Sequence, residues 1–191
     1  RAVGVVSTLL SEDRRDAFAA DTRPEYDRIR ADHLARQEEC APATIDEALD
    51  LTKKSPKDTN SWLALGSAYR RAHRYDEAAV AFRKMTALDA NNSTGWVSLG
   101  AVYMDQRKSA DAKTAFLRAL KINPDDAAAH YNLGSYYLTM AKRDDALGEF
   151  KRAAAADPPV ADAFVSTGLI QAETGALDQA IASYKKALSI D

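Results

Sequence analysis

Residues 62–82 read WLALGSAYRRAHRYDEAAVAF, and the same spacing of residue types returns every 34 residues, giving four copies. In each copy a glycine stands four positions after the opening residue, and an alanine stands four positions before an aromatic residue. The glycines are Gly66, Gly100, Gly134 and Gly168, and the alanines are Ala78, Ala112, Ala146 and Ala180. A fixed period of this length is typical of arrays of helix pairs, so the repeat predicts the architecture.

The repeated glycines have a structural interpretation. A glycine within a helix costs roughly 1 kcal/mol relative to alanine. Its presence in every copy therefore suggests that a side chain there would block the close approach of the paired helix. The alanines are the matching small positions on that helix. Larger residues, such as Trp62, Tyr69 and Phe82, are expected to fill the gaps between repeats.

The order Trp-x2-Leu-Gly-x2-Tyr, then Ala-x3-Phe and a proline, resembles the tetratricopeptide repeat family over residues 59–191. The resemblance implies an all-α fold, a right-handed superhelical solenoid of antiparallel helix pairs. The same register, counted backwards, places a degenerate or capping helix pair before the clear copies. The predicted segments are an N-terminal helical extension at 1–24, the leading pair at 25–58, and four repeats at 59–92, 93–126, 127–160 and 161–191, the last one incomplete.

Composition narrows the class of partner. The 191 residues include 26 Lys and Arg against 28 Asp and Glu, which argues against a nucleic-acid partner because such proteins carry a clearly basic face. No apolar run approaches the roughly 20 residues of a membrane span. The single cysteine, Cys40, excludes an internal disulfide and favours a reducing, cytoplasmic compartment. Because the chain begins at Arg1 and stops inside a repeat, we interpret it as a fragment or a processed product.

A second resemblance covers residues 1–38. The stretch RAVGVVSTLLS at 1–11, then Arg15–Phe18, RPEYDRIR at 23–30 and His33 resemble the last helices of the cobalamin-binding domain of cobalamin-dependent methionine synthase. The Asp-x-His-x-x-Gly motif that supplies the cobalt ligand in that family is absent, so none of its functional residues carries over. The resemblance leaves an alternative function open, namely an accessory or tail segment of such an enzyme system, or a fusion of such a tail to the repeats.

In the tetratricopeptide family the first helices line a concave groove that holds a peptide or a helix. The resemblance places these residues there: Leu63, Ser67, Arg70, Arg71, Val97, Ala101, Met104, Asp105, Tyr131, Asn132, Ser135, Leu138, Thr139, Val165, Leu169, Ala172 and Glu173. This lining is mostly apolar and small, which suits an amphipathic helix or a second copy of the chain. The alternative for any single position is that it supports the neighbouring helix instead.

One known binding mode of the family is disfavoured by the residues themselves. Members that grip a chaperone's C-terminal carboxylate use Lys and Asn, followed by Lys and Arg, at defined groove positions. Here Leu63 and Ser67 stand at the first pair of positions, and Ala128 and Asn132 stand at the later pair. We therefore do not expect that carboxylate clamp in this chain.

Residues that commonly carry catalysis are scattered along the chain. His33, His73 and His130 fall in different repeats and have no histidine or cysteine at i+4, and Cys40 has no fixed base nearby. The glycines are isolated within helices, so no phosphate-binding loop is predicted. We predict no catalytic, metal or cofactor site, and a protein or peptide partner instead. Self-association is a further alternative, suggested by apolar residues on the last helix, namely Ile181, Tyr184, Leu188 and Ile190.

Overall fold

The computed structural model describes residues 44–190, and every regular element in that range is an α-helix. By its internal contacts the described chain forms two compact units, residues 44–153 and residues 154–190. The predicted extension at 1–24, the first helix of the leading pair and the methionine-synthase-like stretch lie outside the described residues.

Helices follow one another at short intervals throughout the described range. They are α1 (Ile45–Lys54), α2 (Thr59–Arg71), α3 (Tyr75–Leu88), α4 (Ser93–Asp105), α5 (Ser109–Ile122), α6 (Ala127–Thr139), α7 (Arg143–Ala155), α8 (Ala161–Glu173) and α9 (Leu177–Leu188). Consecutive helices from α1 to α6 pack against each other, and so do α8 and α9. The all-α fold of antiparallel helix pairs is therefore confirmed, with pairs α2–α3, α4–α5, α6–α7 and α8–α9 forming repeats 1 to 4.

The first helices of repeats 1 to 3 begin at a side chain that accepts backbone N–H groups. Asp58 caps α2, Asn92 caps α4 and Asp126 caps α6. Each cap satisfies one or more of the N–H groups that have no partner at a helix start. The leading helix α1 begins at Thr44, where Thr44 and Glu47 form a capping box.

The turn inside each repeat uses a left-handed backbone residue at one fixed position. His73, Arg107 and Ala141 have φ values of 58°, 60° and 57°, and Gly175 has 82°. The next N–H then reaches back to the first helix, for example from Arg74 to the Tyr69 carbonyl at 2.9 Å. This is the usual way to end a helix, and glycine is the residue that adopts it most easily. Only repeat 4 has glycine there.

The repeated glycines lie directly against the repeated aromatic rings. A Cβ on Gly66 or Gly100 would stand 2.5 Å from the ring of Phe82 or Phe116 in the same repeat. The corresponding distances are 2.7 Å for Gly134 to Phe150 and 2.8 Å for Gly168 to Tyr184. Phe82 also belongs to a buried cluster with Leu99 and Val102 of the next repeat. The contact with the next repeat agrees with the expectation that this ring fills a gap between repeats, and the ring also fills the space inside its own repeat.

The opening residue of repeats 1 to 3 contacts a carbonyl six residues earlier. The indole N–H of Trp62 donates to Pro56 at 2.8 Å, and that of Trp96 donates to Ala90 at 3.0 Å. His130 stands at the same position, is buried, and lies 2.9 Å from the Pro124 carbonyl through Nε2. His130 therefore packs in the core at the position that tryptophan holds in repeats 1 and 2.

His130 also makes a contact that the tryptophans do not make. Its Nδ1 lies 2.6 Å from Glu149, whose other carboxylate oxygen accepts from Arg152 at 2.8 Å. In repeats 1 and 2 the residues equivalent to Glu149 are Ala81 and Ala115. The smaller ring of His130 is therefore matched by a larger side chain on the second helix.

The unit of residues 154–190 contains the helix pair α8–α9. Tyr184 packs in a buried cluster with Ala180, and Val165, Leu169, Ala172 and Ile181 lie against it. The Tyr184 and Thr167 hydroxyls are buried with no hydrogen-bond partner among the residues that the structure describes. Burial, with a smaller effect from the charge of Glu173, raises the pKa of Tyr184 to about 12.

Candidate peptide-binding surface

The surface predicted from the sequence is carried in the first unit by α2, α4 and α6. Within this unit the side chains divide into three groups: a polar cleft between α2 and α4, a buried pair on α4, and an aromatic and apolar region on α6. The exposure of each group depends on how closely the neighbouring helices pack against it.

A cleft of about 350 Å³ opens between repeats 1 and 2. We call it the Arg70 cleft, and its lining residues are Ser67, Arg70, Arg71, His73, Tyr75, Phe82, Ser98 and Asp105. The structure thus brings together four residues of the predicted surface, Ser67, Arg70, Arg71 and Asp105, from two different helices. It adds His73, Tyr75 and Ser98, which the sequence did not indicate as ligand-facing residues.

An ion pair crosses this cleft from helix to helix. The Arg70 Nε donates to Asp105 Oδ2 at 2.5 Å, and the two side chains are 46% and 28% exposed. Exposed pairs of this kind contribute about 0–1 kcal/mol to stability. The pair therefore fixes the side chains only weakly, and its groups stay accessible to solvent.

The turn of repeat 1 forms one wall of the cleft. The left-handed backbone of His73 places its ring edge-to-face with Tyr75, at 5.8 Å between ring centroids. His73 Nδ1 and the Tyr75 hydroxyl lie 2.7 Å apart. The sequence could have indicated that His73 and Tyr75 line the cleft only through their position at the turn of the repeat, because their residue types alone do not predict it.

The neighbouring Arg74 contacts residues outside the cleft. Its guanidinium lies 4.7 Å from the centre of the Tyr69 ring and donates to Glu77 at 2.7 Å. The hydrogen bond from Arg74 lowers the pKa of the Glu77 carboxyl below its usual range. Arg74 does not line the Arg70 cleft.

Two residues on α4 that were predicted to line the groove are almost inaccessible to solvent. Val97 and Ala101 are buried, at 8% and 6% exposure, and Val97 packs with Ala119 and Ala129. For these two, the alternative interpretation holds: they support neighbouring helices, and their expected place on an open groove is corrected. Met104 is half-buried against the cluster around Phe116.

The α6 helix of repeat 3 presents an aromatic and apolar surface. The half-buried ring of Tyr131 lies 5.7 Å from that of Phe150, and Leu138 is 38% exposed. The polar side chains here bond to their own helix. Asn132 donates to the Ala128 carbonyl at 2.7 Å, Ser135 to Tyr131 at 3.1 Å, and Thr139 to Tyr136 at 2.7 Å.

The predicted residues of repeat 4 lie in the other unit. Val165, Leu169 and Ala172 pack against the Ala180 and Tyr184 cluster and are half-buried. Glu173 is exposed and takes part in an interaction of its own.

Neither a metal cluster nor a membrane-spanning helix occurs in the described residues. Between residues 44 and 190, no three side chains among His, Cys, Asp and Glu stand together in a way that could hold a metal ion. Over the same range, none of the helices has the length and apolar character needed to cross a membrane.

Repeated helix pairs with a glycine against an aromatic ring define a helical-repeat protein. A model described as tetratricopeptide repeat matches residues 30–93, 97–143 and 134–191. The chain belongs to the tetratricopeptide repeat family.

Solved structures agree with this assignment. The chain is similar to two crystal structures of MamA, each at 27% identity, with TM-scores of 0.61 and 0.59. The alignments cover 76% of this chain in both cases, and 85% and 80% of those chains. TTC0263, a thermophilic TPR protein in Thermus thermophilus, matches with a TM-score of 0.70 over 88% of this chain and 90% of that one. Its 20% identity shows the fold alone.

One curated relative is a much longer protein. Superkiller protein 3 of Schizosaccharomyces pombe is 50% identical over 38 residues. The match covers 20% of this chain and 3% of that protein.

Family membership gives the general functional class, a scaffold for protein–protein interaction, and such scaffolds are typically non-catalytic. The resemblance of residues 1–38 to methionine synthase gains no support from these comparisons.

Proposed function

We propose that this chain is a non-catalytic interaction scaffold that binds a peptide or a short helix along α2, α4 and α6. The observation that carries the proposal is the contrast between repeated and unrepeated positions. Repeated residues such as Gly100 and Phe116 are buried, whereas Arg70 and Leu138, which occupy one position in different repeats, are accessible. Accessible residues that differ from repeat to repeat are suited to recognition. The single Cys40 supports a reducing, cytoplasmic setting for this role.

The chemistry of the surface indicates the kind of ligand. Leu138 and Met140 are exposed apolar side chains near the end of α6, and Tyr131 adds an aromatic ring on the same helix. Large aromatic residues such as tyrosine contribute strongly to binding energy at interfaces. An amphipathic helix places apolar side chains at the spacing that such a surface requires.

The test compares two apolar surfaces on the same chain. A Tyr131→Ala plus Leu138→Ser double variant removes side chains from α6. The matched control is Leu117→Ser on the second helix α5, where the leucine is 46% exposed. Proteins from the native source are captured on each form of the full chain and quantified by mass spectrometry. We expect partners to be lost from the double variant and retained by the control. Equal retention on both variants, with unchanged helix content, would contradict binding along the first helices.

Self-association is a second candidate. It is favoured by the exposed Ile190 and by the half-buried Ile181 and Leu188 on and after α9. Sedimentation velocity of residues 1–191 over a range of concentrations tests it, and a sedimentation coefficient that stays at the monomer value throughout would exclude it.

A further inference from the structure

We propose that the Arg70 cleft binds the carboxylate of an aspartate or glutamate side chain on the partner, and that Asp105 occupies this position when no partner is bound. The inference rests on the proposed function and names the chemistry of one part of its ligand. The anchor is Arg70, and the carboxylate of Asp105 shows where a partner's carboxylate would lie.

Arg70 differs from its equivalents in the other repeats. At this position repeats 2, 3 and 4 have Met104, Leu138 and Ala172. An apolar residue therefore satisfies the packing of the repeat, so the fold does not require a guanidinium there. Arg70 is nearly half exposed and faces a cleft, which is where a charge that serves recognition is expected.

The cleft already holds a carboxylate in bonding geometry. Asp105 accepts from Arg70 Nε, and Arg71 lines the same cleft, as do the hydroxyl-bearing Ser67 and Ser98. Hydrogen bonds between ionised groups are about twice as strong as neutral ones, and guanidinium matches carboxylate geometry closely. The lining therefore combines a guanidinium with hydroxyl groups, and both kinds of group can donate hydrogen bonds to a carboxylate.

The Arg70–Asp105 pair is weak enough to exchange. Both groups are solvent-accessible, so breaking the pair costs at most about a fivefold change in an equilibrium constant. An acidic partner replaces one carboxylate by another and leaves Arg70 paired. A neutral side chain gives Arg70 no such replacement. The subsite differs from the C-terminal carboxylate clamp, whose positions carry Leu63, Ser67, Ala128 and Asn132 here.

The experiment follows the arginine side chains directly. The full ¹⁵N-labelled chain is titrated with acetyl-glutamate amide, acetyl-glutamine amide and acetyl-phosphoserine amide, and the Nε–Hε resonances of Arg70 and Arg71 are recorded by NMR. Three variants are compared with the wild type. Asp105→Asn removes the negative charge that pairs with Arg70 with little change in side-chain shape, and Arg70→Met copies repeat 2. Glu77→Gln is the matched control, since it removes a carboxylate at the start of α3 that pairs with Arg74 instead.

We expect the glutamate probe to shift the Arg70 resonance, and the glutamine probe to leave it unchanged. Asp105→Asn should tighten binding of the glutamate probe about three- to fivefold, as expected for removal of an exposed competing ion pair. Glu77→Gln should bind like the wild type, and in Arg70→Met the glutamate probe should leave the Arg71 resonance unchanged.

Three results would overturn the inference. The first is equal binding of the glutamate and glutamine probes. The second is equal affinity of Asp105→Asn and the wild type for the glutamate probe. The third is that the phosphoserine probe binds both the wild type and Glu77→Gln more tightly than its extra charge explains. The last result would assign the cleft to phosphate. None of these results depends on Tyr131 or Leu138, so the subsite can fail while binding along α6 stands, and the reverse also holds.

Discussion

The ring of Phe116 occupies the space in which a side chain on Gly100 would begin, because a Cβ built on Gly100 stands 2.5 Å from Phe116 Cε1. The two residues lie on α4 and α5 of one repeat, and the ring is completely buried. The distance is shorter than any that Cβ atoms adopt, so a substitution requires the helices or the ring to move. This contact recurs in all four repeats and is the point at which each helix pair is fixed.

Gly100→Ala should therefore destabilise the protein although alanine favours helix formation. Overpacking a close-packed core costs typically about 1–3 kcal/mol, against about 1 kcal/mol gained in helix propensity. We expect a free energy of unfolding lower by up to about 2 kcal/mol in urea titrations followed by circular dichroism. Gly148→Ala on α7 is the control, since nothing lies within 4 Å of its Cβ position. That variant should be as stable as wild type or more so. Equal effects of the two substitutions would contradict the packing role of Gly100.

His130 and Glu149 should be energetically coupled. Glu149→Ala leaves His130 Nδ1 without its partner at 2.6 Å, which costs about 1–3 kcal/mol for a buried polar group. His130→Trp alone should crowd Glu149. The double variant restores the tryptophan–alanine combination of repeats 1 and 2, so it should be more stable than the sum of the single changes predicts. A double-mutant cycle by urea unfolding measures this, and additive effects would show that the two positions do not compensate each other.

The left-handed residue Ala141 should tolerate glycine with a gain in stability. A non-glycine residue in this conformation costs roughly 1–2 kcal/mol, partly offset by the greater chain entropy that glycine loses on folding. We expect Ala141→Gly to raise the free energy of unfolding by about 0.5–1 kcal/mol. Ala182→Gly, at an exposed position within α9, should lower it by about 1 kcal/mol. A loss of stability at Ala141 would contradict the φ of 57° found there.

Tyr184 should make the protein sensitive to alkaline pH. Its pKa is raised to about 12 in the folded chain, while the unfolded chain keeps a value near 10. Below about pH 10 the phenol is neutral in both states, so its contribution does not vary with pH. Between about pH 10 and 12 only the unfolded state releases the proton, which favours unfolding. The stability lost by pH 12 is roughly 2 kcal/mol from this residue.

Tyr184→Phe tests this directly. Phenylalanine is the residue of the other three repeats, and the Tyr184 hydroxyl has no hydrogen-bond partner within the described part of the chain. At neutral pH the variant should be equal to wild type or more stable by about 1 kcal/mol. Its advantage should grow as pH rises above about 10. Stability curves that stay parallel from about pH 8 to 12 would show that the phenol is not held neutral by burial.

The periodic pattern predicted the fold because one physical requirement recurs in every repeat. Each helix pair must bury the same set of core positions, so glycine, alanine and aromatic residues return every 34 positions. The identity of these residues indicates where the helices lie, which helices pair, and which residues form the core. The turns of repeats 1 and 2, at residues 72–74 and 106–108, lie 34 residues apart for the same reason.

The candidate site was predicted less completely. The sequence indicated the first helices as the recognition surface, but Val97 and Ala101 are buried there, and His73 and Tyr75 complete a cleft that no residue pattern showed. Burial of a groove position depends on how closely the next helix approaches, which side-chain type does not specify.

The contacts within one helix pair could be read from the repeat, since the helix holds its residues at a fixed spacing. The contacts between pairs required the structure, as that between Arg70 and Asp105 shows, because these residues are 35 positions apart. Their meeting depends on the relative height and rotation of α2 and α4. The position of α2 relative to α4 is set by the packing of α3 between them, because no short stretch of chain connects the two side chains.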